Sequence, residues 1–263
     1  MNALEKLFSV KKKNVLNIYF TAGFPALDST EILLNSLEDG GADIIEIGMP
    51  YSDPIADGTV IQESNMAALQ NGITIELLFS QLSQYQSNRI AAGKAVAMPL
   101  VLMGYMNPVL QYGLEKFVED AAQVGISGII LPDLPAYEFE KVYQPLFLKF
   151  GISFIFLVTP DTPEDRIKYL DNLSGGFLYA VSSSATTGGN TNTDAVTNYV
   201  KKLQQLQLKN PVLVGFGIKD AASFNMAAEH ANGAIIGSAF ITAISNANDI
   251  AATAKNFITA IRN

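Results

Sequence analysis

The run Asp43-Ile44-Ile45-Glu46-Ile47-Gly48 decides the fold. Between Asp43 and Gly48 it is apolar apart from Glu46 where a half-wet strand would alternate, the pattern of a parallel strand covered on both faces. Eight such runs occur along the chain, at Val15–Ala22, Asp43–Gly48, Ala97–Met103, Gly128–Leu131, Ser153–Val158, Phe177–Val181, Pro211–Gly215 and Gly233–Ile236. Between them apolar residues recur at helical spacing, as in Leu114, Phe117, Val118 and Ala121, in Phe139, Val142, Tyr143 and Leu146, and in Val196, Tyr199, Val200 and Leu203. Eight βα units in 263 residues match a (β/α)8 barrel. The expectation is an α/β chain forming a single (β/α)8 TIM barrel over residues 1–263, with a doubly wound open sheet as the structural alternative. Asp28 with Glu31 predicts a capping box, and Thr162-Pro163 predicts an N-cap followed by proline at the first helical position. Pro145 predicts an end or kink in the fourth helix.

Composition removes several function classes. Seventeen Lys and Arg against 25 Asp and Glu leave a formal charge of −8, which excludes a basic nucleic-acid binder. A 49% hydrophobic fraction with 16% charged residues excludes a disordered chain. The absence of cysteine excludes disulfides, thiolate nucleophiles and Cys-based metal sites, and the single histidine, His230, excludes a multi-His metal site. Acid–base chemistry must then rest mainly on carboxylates, tyrosine or lysine. Met1–Val10 is weakly apolar and precedes Lys11-Lys12-Lys13, the reverse of a secretory leader's order. Ala95–Met106 is too short to cross a bilayer as a helix, so the expectation is a cytoplasmic protein without a membrane partner.

Barrel active sites lie at the C-terminal ends of the strands. Glu46 stands inside an apolar strand; it faces either solvent from a strand edge or the barrel mouth, where burial would raise its pKa toward that of a neutral-pH acid–base group. Asp57 follows in Pro50-Tyr51-Ser52-Asp53-Pro54-Ile55-Ala56-Asp57-Gly58 and is either ordinary turn chemistry or a second carboxylate facing the same pocket. Asp133 reads as a supporting residue or helix cap. Tyr179 either packs in the core or offers its hydroxyl to a substrate. Glycine-bearing turns at Gly188-Gly189, Gly215-Phe216-Gly217 and Gly237-Ser238 follow strands six, seven and eight. The last two sit where barrels commonly bind phosphate, with backbone amides at Gly217 and Gly237 and a hydroxyl at Ser238. The three arginines, Arg89, Arg166 and Arg262, fall on helices or the tail, so an arginine clamp is not expected. His230 reads as a helix C-terminal residue and Lys219 as a helix start. The longest connection, Ser182 to Asn192, is small and polar and suits a lid.

The segment from Ile45 to Gln62 resembles the E-x-G-x-P-[FY]-S-D-P-x-A-D-G-x-x-I-Q signature of the tryptophan synthase α subunits. Tyr19-Phe20-Thr21-Ala22-Gly23-Phe24-Pro25, Met103-Gly104-Tyr105-Met106-Asn107-Pro108, Leu131-Pro132-Asp133-Leu134-Pro135, Gly215-Phe216-Gly217-Ile218 and Gly237-Ser238-Ala239 correspond in the right order. The resemblance implies cofactor-free retro-aldol cleavage of indole-3-glycerol phosphate to indole and glyceraldehyde 3-phosphate. It implies Glu46 as the acid–base group and Asp57 as the acceptor of the indole N–H. It further implies Tyr179, Tyr19, Met103, Tyr105, Ile130 and Phe216 around the substrate, Thr187 as the lid threonine, and Gly188, Gly217, Gly237 and Ser238 as the phosphate cradle. The lid departs from many relatives, with Ser183 in place of an arginine, and with Ala185 and Thr186. The partner implied is a pyridoxal-phosphate-dependent β subunit in an α2β2 tetramer, with the loops around Asp53-Pro54 and Asn107-Pro108 as candidate contacts. A phosphosugar isomerase barrel and a non-catalytic phosphate-binding barrel are the competing expectations.

Overall fold

The computed structural model describes residues 1–94, 98–181, 193–215 and 217–263, with backbone alone at 193–196. Its strands are β1 (Val15–Thr21), β2 (Ile44–Gly48), β3 (Leu100–Met103), β4 (Ile126–Ile130), β5 (Ser153–Phe154), β6 (Leu157–Val158), β7 (Leu178–Ala180), β8 (Val212–Val214) and β9 (Gly233–Ile236). All pairings are parallel, in the order β5-β4-β3-β2-β1-β9-β8-β7-β6. β5 and β6 are the two ends of the run read as Ser153–Val158. β5 pairs with β4 and β6 with β7. Between them the Ile155 N–H donates to the Ile129 carbonyl and the Tyr179 N–H to the Phe156 carbonyl, each at 3.0 Å. Backbone bonding thus passes across this one run, and the sheet curls into an eight-stave TIM barrel.

Period-two alternation divides the apolar residues into two cores. Leu16, Ile18 and Phe20 of β1 and Ile45 and Ile47 of β2 face outward into the larger core beneath the helices. Val15, Ile44, Val101, Ile130, Ile155, Phe177, Tyr179, Leu213 and Ile235 fill the lumen. The helix Ala3–Val10, which the sequence reading did not detect, closes the lumen at the N-terminal ends of the strands with Leu4 and Phe8. Asn2 caps that helix through a full capping box, and its amide also holds the Ser127 and Gly151 carbonyls, both at 3.1 Å. β1 is held from both sides, by β2 and β9. Below it the Arg262 guanidinium donates to the Asn14 and Gly41 carbonyls and to Asp43, whose carboxylate also takes Lys11.

Three local expectations need correction. Asp28 is the N-cap of Ser29–Gly40 but forms no capping bond, because the Ser29 hydroxyl takes the Ala26 N–H and Glu31 is engaged by Asn88. Pro163, not Thr162, caps Glu164–Leu173, since the Thr162 hydroxyl turns back to the Thr159 N–H at 2.9 Å. Pro145 does not end its helix. The five residues Phe139–Tyr143 widen into a π turn, and the chain continues as Gln144–Phe150 with Pro145 in its first turn, where no donor is missed. Among the described residues no helix is long and apolar enough to cross a membrane.

Phe8 is 5% exposed and meets Phe177 in the lumen floor, ring centroids 6.2 Å apart and tilted by 54°. Phe8→Ala is expected to cost about 3–5 kcal/mol of unfolding free energy, measured by urea denaturation. A change below about 1 kcal/mol would mean that the helix is not part of the core.

Candidate active site

The inward positions of β1 and β2 create the site. Tyr19 and Glu46 are register partners, and Asn17 lies one inward position below Tyr19. Glu46 is completely buried. Its Oε2 accepts a 2.7 Å bond from Asn17 Nδ2, while Oε1 has no partner among the described residues. Burial, reinforced by the negative charge of Asp57 and opposed by the Asn17 bond, pushes the Glu46 carboxyl up to about 8. The strand has no wet face to rescue the charge, so the proton stays on through neutrality. Two glycines make room for the aromatic rings beside it. A Cβ on Gly48 would overlap the Tyr19 hydroxyl, and one on Gly215 would overlap the Tyr179 ring.

Asp57 is delivered by the loop after β2. Its N–H donates to the Pro54 carbonyl at 3.0 Å, and its carbonyl accepts from Gln62 Nε2 at 2.8 Å. Tyr105 fixes the carboxylate from behind: its hydroxyl donates to Asp57 Oδ2 and accepts the Ala56 N–H, both at 3.0 Å. Burial pushes Asp57 up to about 6, with the Tyr105 bond opposing. The two acids therefore sit on opposite sides of neutral pH, one retaining its proton and the other largely ionised.

Both acids line one cavity of about 800 Å3, together with Tyr19, Met103, Tyr179, Gly217, Gly237 and Ser238. Gly217 adopts φ +65°, a left-handed conformation that favours glycine. Gly237 is the N-cap of the helix Ser238–Ser245. Of the other residues singled out from the sequence, Tyr105 is braced behind Asp57, and Ile130 lies in the lumen core and not on the cavity wall. Asp133 accepts the Met106 N–H with both oxygens at 3.0 Å and so caps Met106–Tyr112. His230 ends the helix Ala221–His230, and Lys219 reaches the cavity rim. Phe216, Thr187 and Gly188, with Ser183, Ala185 and Thr186, lie outside the described residues. The sequence reading missed Asn17 and the apolar wall residues Ile61, Leu157 and Ile218. Inward alternation along β1 was the signal that could have found Asn17.

A family model described as tryptophan synthase alpha chain matches residues 6–263. The chain belongs to the tryptophan synthase alpha chain family. It is 46% identical over 242 residues to the tryptophan synthase alpha chain of Flavobacterium psychrophilum, covering 92% of each chain. It is 49% identical over 228 residues to that of Christiangramia forsetii, covering 86% of each. The solved tryptophan synthase subunit alpha of Legionella pneumophila superposes with a TM-score of 0.88 at 31% identity, over 100% of this chain and 97% of that one. As a member of this family the protein is a lyase that cleaves indole-3-glycerol phosphate to indole and glyceraldehyde 3-phosphate in tryptophan biosynthesis. The family works with a β subunit.

The upward displacement of Glu46 has a stability consequence with a definite sign. An acid whose folded pKa is raised from 4.5 to about 8 favours the fold while protonated in both states, and that contribution is lost as pH rises from 4.5 through 8. Glu46→Gln is therefore expected to gain stability over the parent progressively between pH 5 and 8 and to hold a constant advantage above. Urea midpoints at pH 5, 7 and 9 measure this, and a pH-independent difference would contradict the burial argument.

Proposed function

We propose that Glu46 and Asp57 divide the chemistry of the α reaction and that the turns after β8 and β9 anchor the substrate phosphate. The observation that carries this reading is the placement of both acids on one cavity wall with Gly217, Gly237 and Ser238 on the same cavity. Glu46, protonated at neutral pH, gives its proton to indole C3. Asp57, ionised, accepts the indole N–H and stabilises the positive charge that develops on the ring nitrogen. Glu46, now a carboxylate, takes the proton of the adjacent glycerol hydroxyl. The bond between C3 and the glycerol carbon then breaks, its electron pair returns to the ring, and an aldehyde forms. One proton leaves Glu46 and one returns, so the acid is regenerated.

The phosphate falls to backbone amides. Arg89 is bound to Glu38 and Arg262 to Asp43, and Arg166 lies beside a different pocket. The left-handed turn at Gly217 and the N-terminus of Ser238–Ser245 supply N–H groups and a dipole for an anion in a protein of net charge −8. Tyr19, Met103 and Tyr179 surround the indole. For the partner we propose a pyridoxal-phosphate-dependent β subunit in an α2β2 tetramer, which receives the indole. The loops around Asp53-Pro54 and Asn107-Pro108 meet it, supported by the exposed side chains Ile55 and Leu110 there.

Indole release from indole-3-glycerol phosphate, measured with and without a β subunit, is the test. Turnover is expected alone and faster with the partner. Glu46→Gln and Asp57→Asn are each expected to lose about 100-fold or more in kcat while still binding glycerol phosphate. Undiminished turnover in Glu46→Gln would remove the mechanism, and isomerisation of a ribosylamine phosphate without indole release would replace it.

A further inference from the structure

Asn17 is a polar side chain with no exposed surface, set between the apolar residues Leu16 and Ile18 of β1, and it lies below the cavity wall. Its register partners, Ile44 and Ile235, are apolar. Burying an amide at that depth is costly unless it is hydrogen-bonded. Nδ2 donates to Glu46 Oε2 at 2.7 Å, but Oδ1 has no partner among the described residues, so the amide is satisfied on one side alone. An apolar residue of similar size would avoid that cost, and what the amide supplies in its place is contact with one oxygen of one carboxyl.

We propose that Asn17 is a positioning residue for Glu46, whose amide reserves Oε2 as an acceptor and thereby confines the exchangeable proton to Oε1. This rests on the reading of Glu46 as the proton-transfer group. An N–H aimed at a carboxyl oxygen occupies one of its lone pairs and is accepted more strongly by a carbonyl oxygen than by a hydroxyl oxygen, which favours the acid's hydrogen on the other oxygen. In the carboxylic acid Oε2 is then the carbonyl oxygen and Oε1 carries the hydrogen; in the carboxylate both are free of it and the Asn17 bond strengthens. Without Asn17 the acid could hold its proton on either oxygen, and half of those arrangements would face away from the substrate. The other titratable groups around Glu46 are Asp57, Tyr19 and Tyr179, with Lys219 at the rim of the same cavity. Asn17 is the neutral donor among them that bonds the carboxyl directly.

Asn17→Leu removes the donor at nearly constant volume. With the full-length protein and its β subunit, kcat for indole release is expected to fall by about twofold from the divided proton alone, and by up to about 100-fold in all as the carboxyl loses the bond that fixes its orientation. KM should change by less than about threefold, because the variant leaves substrate binding intact. The Glu46 titration, followed by carboxyl 13C NMR in the unliganded protein, should move upward by about one unit, since a bond favouring the carboxylate is lost. In a Glu46→Gln background the same substitution should leave residual turnover unaltered. Should Asn17→Leu fail to fold, Asn17→Val, which also removes the donor and suits a strand, carries the same test, with the upward shift expected again. Unchanged kcat and an unmoved titration in whichever variant folds would overturn the role of Asn17. If Glu46→Gln itself turns over normally, the reading of Glu46 fails instead, so the two failures are separable.

Discussion

A strand enclosed on both faces gives an ionisable side chain no route to bulk water. β2 is such a strand, with Ile45 and Ile47 under the helices and Ile44 and Glu46 in the lumen. Every other property of the site descends from that enclosure. It keeps a proton on Glu46 at neutral pH, makes the hydrogen bond from Asn17 consequential, and places a second carboxylate where its charge is felt. The low-dielectric surroundings that impose the cost of burial also strengthen each polar contact made within them. Asp57 escapes part of the penalty because it arrives on a loop and has the Tyr105 hydroxyl as a donor. One fold thus raises two carboxyl groups within a single cavity, Glu46 further than Asp57.

The glycines and aromatics form a second constraint, one of volume. Tyr19 and Tyr179 project into the lumen from β1 and β7, and each needs the space that a neighbouring strand leaves by ending in glycine. Gly48 and Gly215 therefore act as partners of specific tyrosines, and their role is geometric. The lumen below is filled by Ile44, Val101, Ile130 and Leu213 and closed by Leu4 and Phe8, so the cavity has a solid floor. Close packing of that floor transmits position to Glu46 and Tyr19, which is why a helix remote from the chemistry belongs to its support.

Much of this was legible in the sequence because enclosure leaves a period. Eight nearly continuous apolar runs separated by helical patterns pointed to covered parallel strands, and Glu46, a carboxylate inside one of them, was conspicuous for that reason. Alternation then places residues 15, 17 and 19 on one face, yet Asn17 went unremarked because a short amide does not interrupt the apolar character of Val15–Thr21 as a charge does. Ile130 was grouped with the pocket by correspondence of position, whereas the depth at which a side chain ends depends on strand tilt and on the filling of the lumen, neither of which has a local signature. The same limit applies to helix starts. Asp28 and Glu31 have capping-box spacing, but Ser29 and Asn88 compete for the groups concerned, and Asn88 is 57 positions from Glu31. The π turn before Pro145 is likewise a choice between ending a helix and widening it, made by the packing of Phe139 and Phe147 at 5.4 Å.

The position of β1 between β2 and β9 carries a consequence for biosynthesis. A ribosome delivers β1 some two hundred residues before β9, and through that interval its backbone N–H and C=O groups on one side have no neighbour. The Asn14 carbonyl waits longer still, for Arg262. Nascent chains of this protein therefore expose an unpaired edge until β9 has been made, and ring closure couples β1 to a strand and a helix made some two hundred residues later.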